Sequence, residues 1–316
     1  MNMFFLLTSL MLSVAMIFSS TSWFFTWMSL EINLLTFVGW VLQHKFHEAM
    51  TKYFLIQSMG SSLFIMSSSI LSLSLTQYQL PQSLMILPTI AILIKMGSVP
   101  FHLWYPEVMN HINWEQCMIL TTIQKFGLLF IIYQMKSNVI LFALMSTIFG
   151  AMSSINQTSL RKLLAFSSIS HNGWMLMCVS LLMTTWMSYF LIYSTINIIV
   201  MNLMKQMKWY HLNQIKPMNI TTKMNLLLSI MALGGLPPTL GFAPKWILLL
   251  IIMNYSSLIG LILILSSLMI LFAYMSMTFT PLFNIHQMKY ASQRNIQQAT
   301  PTILFMTLPT TPTLLL

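Results

Sequence analysis

Apolar residues in this chain run in long, nearly unbroken stretches, and neither the alternation of an exposed strand nor the one-sided stripe of a surface helix dominates. Cut at the short polar interruptions, the pattern predicts eleven membrane-crossing helices. They fall near 3–20, 23–43, 50–76, 82–108, 113–135, 138–155, 159–183, 186–206, 222–253, 256–281 and 299–316. The expected fold is therefore an all-α polytopic membrane protein, with residues 1–316 forming a single membrane domain. A transmembrane β-barrel is disfavoured because the runs are continuous rather than dyadic.

Two spans break the pattern. Span four contains Lys95-Met-Gly-Ser-Val-Pro100, and span nine contains Gly234-Gly-Leu-Pro237-Pro238. At 32 residues, span nine as one helix would reach about 48 Å, against a hydrocarbon core of about 30 Å. Proline removes a backbone donor and clashes with the preceding turn, so both spans are expected to be broken near mid-membrane. They are five places apart in span order, an odd number, so they run in opposite directions. Interrupted spans in corresponding places of two halves mark inverted repeats. The halves would be spans one to five (3–135) and six to ten (138–281), with 299–316 as an extra C-terminal span.

Basic residues test the count. The second, sixth, eighth and tenth loops hold ten of them: Lys45, Lys52, Arg161, Lys162, Lys205, Lys208, Lys216, Lys223, Lys289 and Arg294. The odd-numbered loops hold one, Lys136. A missed span would scramble this parity. Cationic loops mark the inner side, which places the N-terminus inside and the C-terminus outside.

Composition then excludes other classes. Of 316 residues, 57% are hydrophobic and 6% charged, where soluble domains carry about 25% charge. A soluble or disordered chain does not fit. The net charge of +10 reflects a shortage of acids (four Glu, no Asp) rather than a basic patch, which argues against nucleic-acid binding. The two cysteines, Cys117 and Cys178, are too few for a disulfide framework or a self-held iron–sulfur cluster. With 31 Met and two Arg, and no basic residue before Ile17, no import leader is expected; the bias suggests an AT-rich organelle genome.

Three lysines remain inside apolar runs, Lys95, Lys125 and Lys245, together with Glu31. Each charge costs about 3 kcal/mol at mid-membrane on insertion scales, so the default reading is an ion or proton pathway. Desolvation loosens a lysine's hold on its proton and a nearby carboxylate tightens it, so a Glu31–Lys95 pair could load and unload. Lys125 would be the next station and Lys245 the last, with bridging waters between helices. The same charges could instead fix helix packing. His171 could relay protons or serve as a neutral histidine bonded to a neighbouring helix. His44, His47 and Glu48 have metal-ligand spacing but lie in a short basic loop and read as solvated. Glu107, Glu115, His102 and His111 flank the fourth loop and fit either a proton entrance or a wet surface. There is no dinucleotide fingerprint or P-loop. Uphill transport at about 2.3 kcal/mol per charge per 100 mV would need a driving partner or a second ion gradient.

The segment Lys95 to Val108 (KMGSVPFHLWYPEV) resembles a signature of the antiporter-like membrane subunits of respiratory complex I. Thr122-Ile-Gln-Lys125, Leu160 to Trp174, Gly234 to Trp246, Trp27 to Asn33 and Glu48 to Phe54 resemble the family at the expected distances, covering roughly residues 20 to 250. The chain departs from the family in its shorter length and in Phe166, where tyrosine is usual. By this resemblance Glu31, Lys95, Lys125 and Lys245 match the family's proton-handling glutamate and lysines. It further implies that NADH, flavin, iron–sulfur clusters and ubiquinone bind in partner subunits, and that this chain carries no cofactor. The implied location is the mitochondrial inner membrane, with the cationic loops in the matrix and the C-terminus on the intermembrane-space side. Other membrane-arm subunits, phospholipids, protons and internal water would be its partners. A cation/proton antiporter and a structural spacer are the rival expectations.

Overall fold

The computed structural model describes residues 3–42, 47–74, 85–181, 184–211 and 220–283. The expected last span (299–316), His44, Lys45, Lys216, Lys289 and Arg294 lie outside the described residues, as do the side chains of His47 and Lys223. Among the described residues the chain is helical, with one isolated bridge between Ser159 and His211. The helices are α1 (Met3–Ser19), α2 (Trp23–Leu42), α3 (His47–Ser74), α4 (Ile86–Met96), α5 (Trp104–His111), α6 (Trp114–Thr121) and α7 (Ile123–Met135). There follow α8 (Ile140–Ile155), α9 (Leu160–Ser180), α10 (Thr185–Met207), α11 (Ile220–Gly234), α12 (Phe242–Tyr255) and α13 (Ser257–Phe283).

Five described segments are long and apolar enough to cross a membrane: Trp23–Leu42, Glu48–Leu71, Trp114–Met135, Thr185–Met207 and Ser257–Thr278. Large apolar side chains face outward, with Leu103 at 72% and Leu141 at 76% exposure, while Lys95, Lys125, Lys245, Asn33, Gln57 and Gln116 are buried. This inversion of the soluble pattern is what a lipid solvent selects. Serines inside the helices satisfy themselves locally: the Ser13 hydroxyl donates to the Leu10 carbonyl at 2.7 Å and that of Ser67 to Phe64 at 2.9 Å. The chain is a multi-pass membrane protein.

The structure divides into two compact units, Met1–Ser146 with Met175–Met183, and Thr147–Trp174 with Thr184–Leu316. In the first unit α2 packs on α1 and α3, α4 packs on α3 and α7, and α1 also meets α7. In the second unit α10 meets α11 and α12, and α13 packs on α11 and α12.

Both spans expected to break do so at a left-handed glycine. After α4, Gly97 sits at φ +69°, its N–H donates to the Ile94 carbonyl, and the Ser98 N–H reaches back to Leu93, each at 3.2 Å. After α11, Gly235 sits at φ +77°, and its N–H and that of Leu236 both donate to the Met231 carbonyl. Only glycine takes this geometry without a Cβ penalty, and the doubled bonds satisfy carbonyls that water cannot reach.

The run 113–135 was expected as one continuous helix and carries a joint instead. α6 ends at Thr121 and α7 begins at Ile123, with Thr122 at φ −117°, ψ −84°. The Thr122 hydroxyl donates to the Met118 carbonyl at 2.6 Å, competing with the backbone ladder. The joint lies less than one turn before Lys125.

Loop ends meet within each unit. In the first, Lys52 near the start of α3 pairs with Glu107 of α5 at 2.6 Å. In the second, the Leu160 N–H donates to the Tyr210 carbonyl at 3.0 Å, and the Arg161 guanidinium lies 4.3 Å from the Tyr210 ring centre.

Candidate functional site

Two of the three intramembrane lysines share one cleft in the first unit. Lys95 ends α4 and Lys125 lies in the first turn of α7, with 4% and 1% exposure. Both line a narrow space of about 20 Å³ together with Asn33, Tyr53, Gln57 and Gln124. Leu30, Leu34, Leu120 and Leu128 also line it, and the space is large enough for about one water. The Lys125 ammonium lies 4.8 Å from the centre of the Tyr105 ring, a cation–π distance.

Amides and a phenol tie the cleft together. The Gln124 side chain donates to the Asn33 carbonyl oxygen at 2.7 Å, joining α7 to α2. The Tyr53 hydroxyl donates to the Gln124 oxygen at a long 3.5 Å. Gln57 on α3 donates to the Lys95 backbone carbonyl at 2.9 Å. The Trp104 indole N–H takes the Ile94 carbonyl at 3.2 Å, so both carbonyls at the end of α4 are occupied. Neither bond uses the Lys95 ammonium. Gly60 on α3 lies against the Lys95 stem: a Cβ there would come within 2.7 Å of Lys95 Cγ.

Glu31 is half-buried on α2, two residues before Asn33. It forms no ion pair within 4.0 Å of Lys95 among the described residues, yet it is near enough for its charge to act on that lysine. The two groups therefore interact through space rather than in contact.

Lys245 opens α12 in the second unit, just after the second break, and is 4% exposed. Its ammonium donates to the Gly234 carbonyl at 3.0 Å and lies 5.8 Å from the Trp174 ring centre. His171 stands one turn before Trp174 on α9. Its Nδ1 is 2.9 Å from the Tyr189 hydroxyl on α10, and its ring lies 4.8 Å from that of Tyr193. Asn197 in turn donates to the Tyr193 hydroxyl at 3.3 Å. His171, Tyr189 and Tyr193 face a small, mostly apolar cavity of about 10 Å³ bounded by Ala232, Leu233, Gly241 and Pro244, which flank the break. His171 therefore has the neighbouring-helix bond of a packing histidine and also a cavity beside it.

Asn33, Tyr53, Gln57, Gln124 and Trp174 were not anticipated. Their one sequence signal is an amide, phenol or indole within an apolar run. Among the described residues no group of three His, Cys, Asp or Glu could hold a metal ion. The assembled chemistry is that of ammonium, hydroxyl and amide groups beside small spaces that apolar side chains also line. Lysine and tyrosine can give and take protons there, and the amides orient them.

Known proteins place this geometry in context. The family profile described as NADH:quinone oxidoreductase/Mrp antiporter, TM, matches residues 20–271. The NADH-ubiquinone oxidoreductase chain 2 of Locusta migratoria is 40% identical over 294 residues, covering 89% of this chain and 85% of its own. The corresponding chain 2 of Lumbricus terrestris is 36% identical over 284 residues, covering 85% and 84%. A chain of respiratory complex I from Thermus thermophilus with bound aureothin has the same fold, with a TM-score of 0.78 and 17% identity over 87% of this chain and 69% of that one. The chain belongs to the NADH:quinone oxidoreductase/Mrp antiporter membrane family, in the branch of NADH-ubiquinone oxidoreductase chain 2.

Proposed function

We propose that this chain is a proton-translocating subunit in the membrane arm of a mitochondrial NADH–ubiquinone oxidoreductase. Its proton path uses Glu31, Lys95 and Lys125 in the first unit and Lys245 in the second, with His171 as a further relay. The observation that carries the reading is the shared cleft: two buried lysines line one narrow space together with Asn33, Gln57 and Gln124. A carboxylate near a buried lysine favours its charged form, and in this reading Glu31 plays that part for Lys95. Partner subunits would hold the NADH, flavin, iron–sulfur and ubiquinone sites and supply the driving reaction, since moving a charge against the potential needs an external source of free energy. Other membrane-arm subunits and phospholipids would cover the outward apolar surface.

In this reading the chain has eleven spans in two inverted repeats, 3–135 and 138–281, with 299–316 as an extra span. The cationic loops face the matrix, which puts the N-terminus there and the C-terminus in the intermembrane space, and the gene is organellar. The Lys52–Glu107 and Leu160–Tyr210 contacts support the loop parity, because each joins residues at even-numbered loops of its own unit.

The family also includes Mrp antiporters, which makes a cation/proton antiporter the second reading. Hard cations favour oxygen ligands, and Glu31 is the one carboxylate deep within an apolar span, which favours the proton reading. A spacer that transmits coupling without conducting is the third. A native gel of gently solubilised mitochondrial membranes, stained for NADH oxidation and read by mass spectrometry, tests the assignment. Co-migration of this chain with a large NADH-oxidising assembly is expected. A small particle without that activity would reject it in favour of the antiporter.

A further inference from the structure

The two breaks are built alike but treat their lysines differently. At the first, the Trp104 indole and the Gln57 amide occupy the Ile94 and Lys95 carbonyls. At the second, the Lys245 ammonium itself accepts that task and donates to the Gly234 carbonyl at 3.0 Å. That carbonyl lies in the last turn of α11, where unpaired carbonyls concentrate partial negative charge and attract a cation.

The approach depends on Gly235. A Cβ built there would lie 2.9 Å from Lys245 Nζ, 3.1 Å from Cδ and 3.3 Å from Cε. The outer half of the lysine side chain therefore runs along the bare Cα of Gly235. Of the atoms in conflict, those at the flexible end of the lysine can yield most easily, so a side chain at 235 would push the ammonium off its carbonyl rather than move the backbone. The neighbouring Gly234 differs: a Cβ there meets Tyr274 at 3.5 Å and Leu271 at 3.7 Å, ordinary contact distances.

We propose that the Gly234 carbonyl and the bare Cα of Gly235 form a seat that holds the charged head of Lys245, and that Gly235 is a positioning residue for this lysine. The inference rests on the reading of Lys245 as a proton carrier and deepens it. An ammonium in the seat is parked with its proton, and transfer requires it to leave. His171, Tyr189 and Tyr193 line a cavity that Ala232, Leu233, Gly241 and Pro244 border on either side of the break.

The test compares the Lys245→Met, Gly235→Ala and Gly235→Asn variants in the assembled complex in proteoliposomes, measuring protons moved per NADH oxidised. Asparagine tolerates the left-handed backbone better than alanine but still carries the Cβ. The seat predicts a lowered proton-to-electron ratio in both Gly235 variants, falling toward the Lys245→Met value, with NADH oxidation retained. A low ratio in Gly235→Ala alone would trace the effect to backbone strain and overturn the seat. Normal ratios in both Gly235 variants beside a low Lys245→Met ratio would overturn the seat and leave the proton reading standing. A normal ratio in Lys245→Met would sink the proton reading of that lysine and the seat's role with it. If the Gly235 variants do not assemble, a high-resolution structure of the resting native complex decides: density for the Lys245 head on the Gly234 carbonyl is expected, and density swung away overturns the seat.

Discussion

Gly60→Ala is the sharpest structural probe of the first cleft. The added Cβ would lie 2.7 Å from Lys95 Cγ, 3.3 Å from the Ala91 carbonyl oxygen and 3.4 Å from Lys95 Cε, where ordinary contacts begin at 3.4 Å. Cγ sits near the root of the side chain, so rotating the ammonium end does not relieve the overlap. Either α3 and α4 separate or the Lys95 stem leaves its rotamer. Overpacking of this kind costs about 1–3 kcal/mol. Cys117 reports the cost: it is buried and unoxidised on α6 of the same unit. Its alkylation in the purified complex, read by mass spectrometry, follows the open population when opening is fast relative to labelling. The predicted destabilisation accelerates labelling about 5- to 150-fold. In a Lys95→Ala background Cγ is gone, and the same Gly60→Ala change should alter labelling by no more than about twofold. Unchanged labelling in the single variant, or a full effect that persists without the lysine stem, would refute the packing argument.

Other perturbations follow from the same contacts. Gly241→Ala drives a Cβ into the Ala232 carbonyl oxygen, a backbone atom with no rotamer to escape through. It should cost more than about 4 kcal/mol and remove the subunit from the assembled complex on an immunoblotted native gel; normal assembly would contradict the close approach. Asn33→Leu strands the Gln124 amide that now donates at 2.7 Å, a loss of about 1–3 kcal/mol. NADH-driven quinone reduction should fall further than in Asn33→Asp, which keeps an acceptor oxygen; equal activities would make the bond irrelevant. Glu31→Gln should reduce coupled activity less than Lys125→Met, because Glu31 acts through space, and an unchanged rate would leave it without a part in proton transfer.

Much of the fold was legible because lipid makes one demand, that every backbone group be paired within its segment. The long apolar runs gave most helix ends to within a few residues: 186–206 became Thr185–Met207, and 256–281 became Ser257–Phe283. The two breaks were legible because Gly97 and Gly235 stand beside prolines that forbid a continuous ladder. The joint at Thr122 was not, since a threonine inside an apolar run gives no sign of whether its hydroxyl will bond the preceding turn. The buried lysines stood out as costly, but their partners did not. That Lys95 and Lys125 line one cleft follows from how α4 packs on α7, which periodicity alone does not encode. Asn33 and Gln124 lie 91 positions apart, so their bond exists only after folding. The separation of Glu31 from Lys95 is likewise a matter of helix placement.

The central claim is that the buried lysine at the head of α7 carries protons. The most direct measurement is the proton-to-electron ratio of the intact complex with Lys125→Met, reconstituted in tight proteoliposomes. Methionine fills similar volume and keeps the apolar stem, so assembly should survive. The account predicts a reduced ratio with the complex still assembled. A ratio equal to that of the unaltered complex would remove Lys125 from the proton path and leave the cleft as packing.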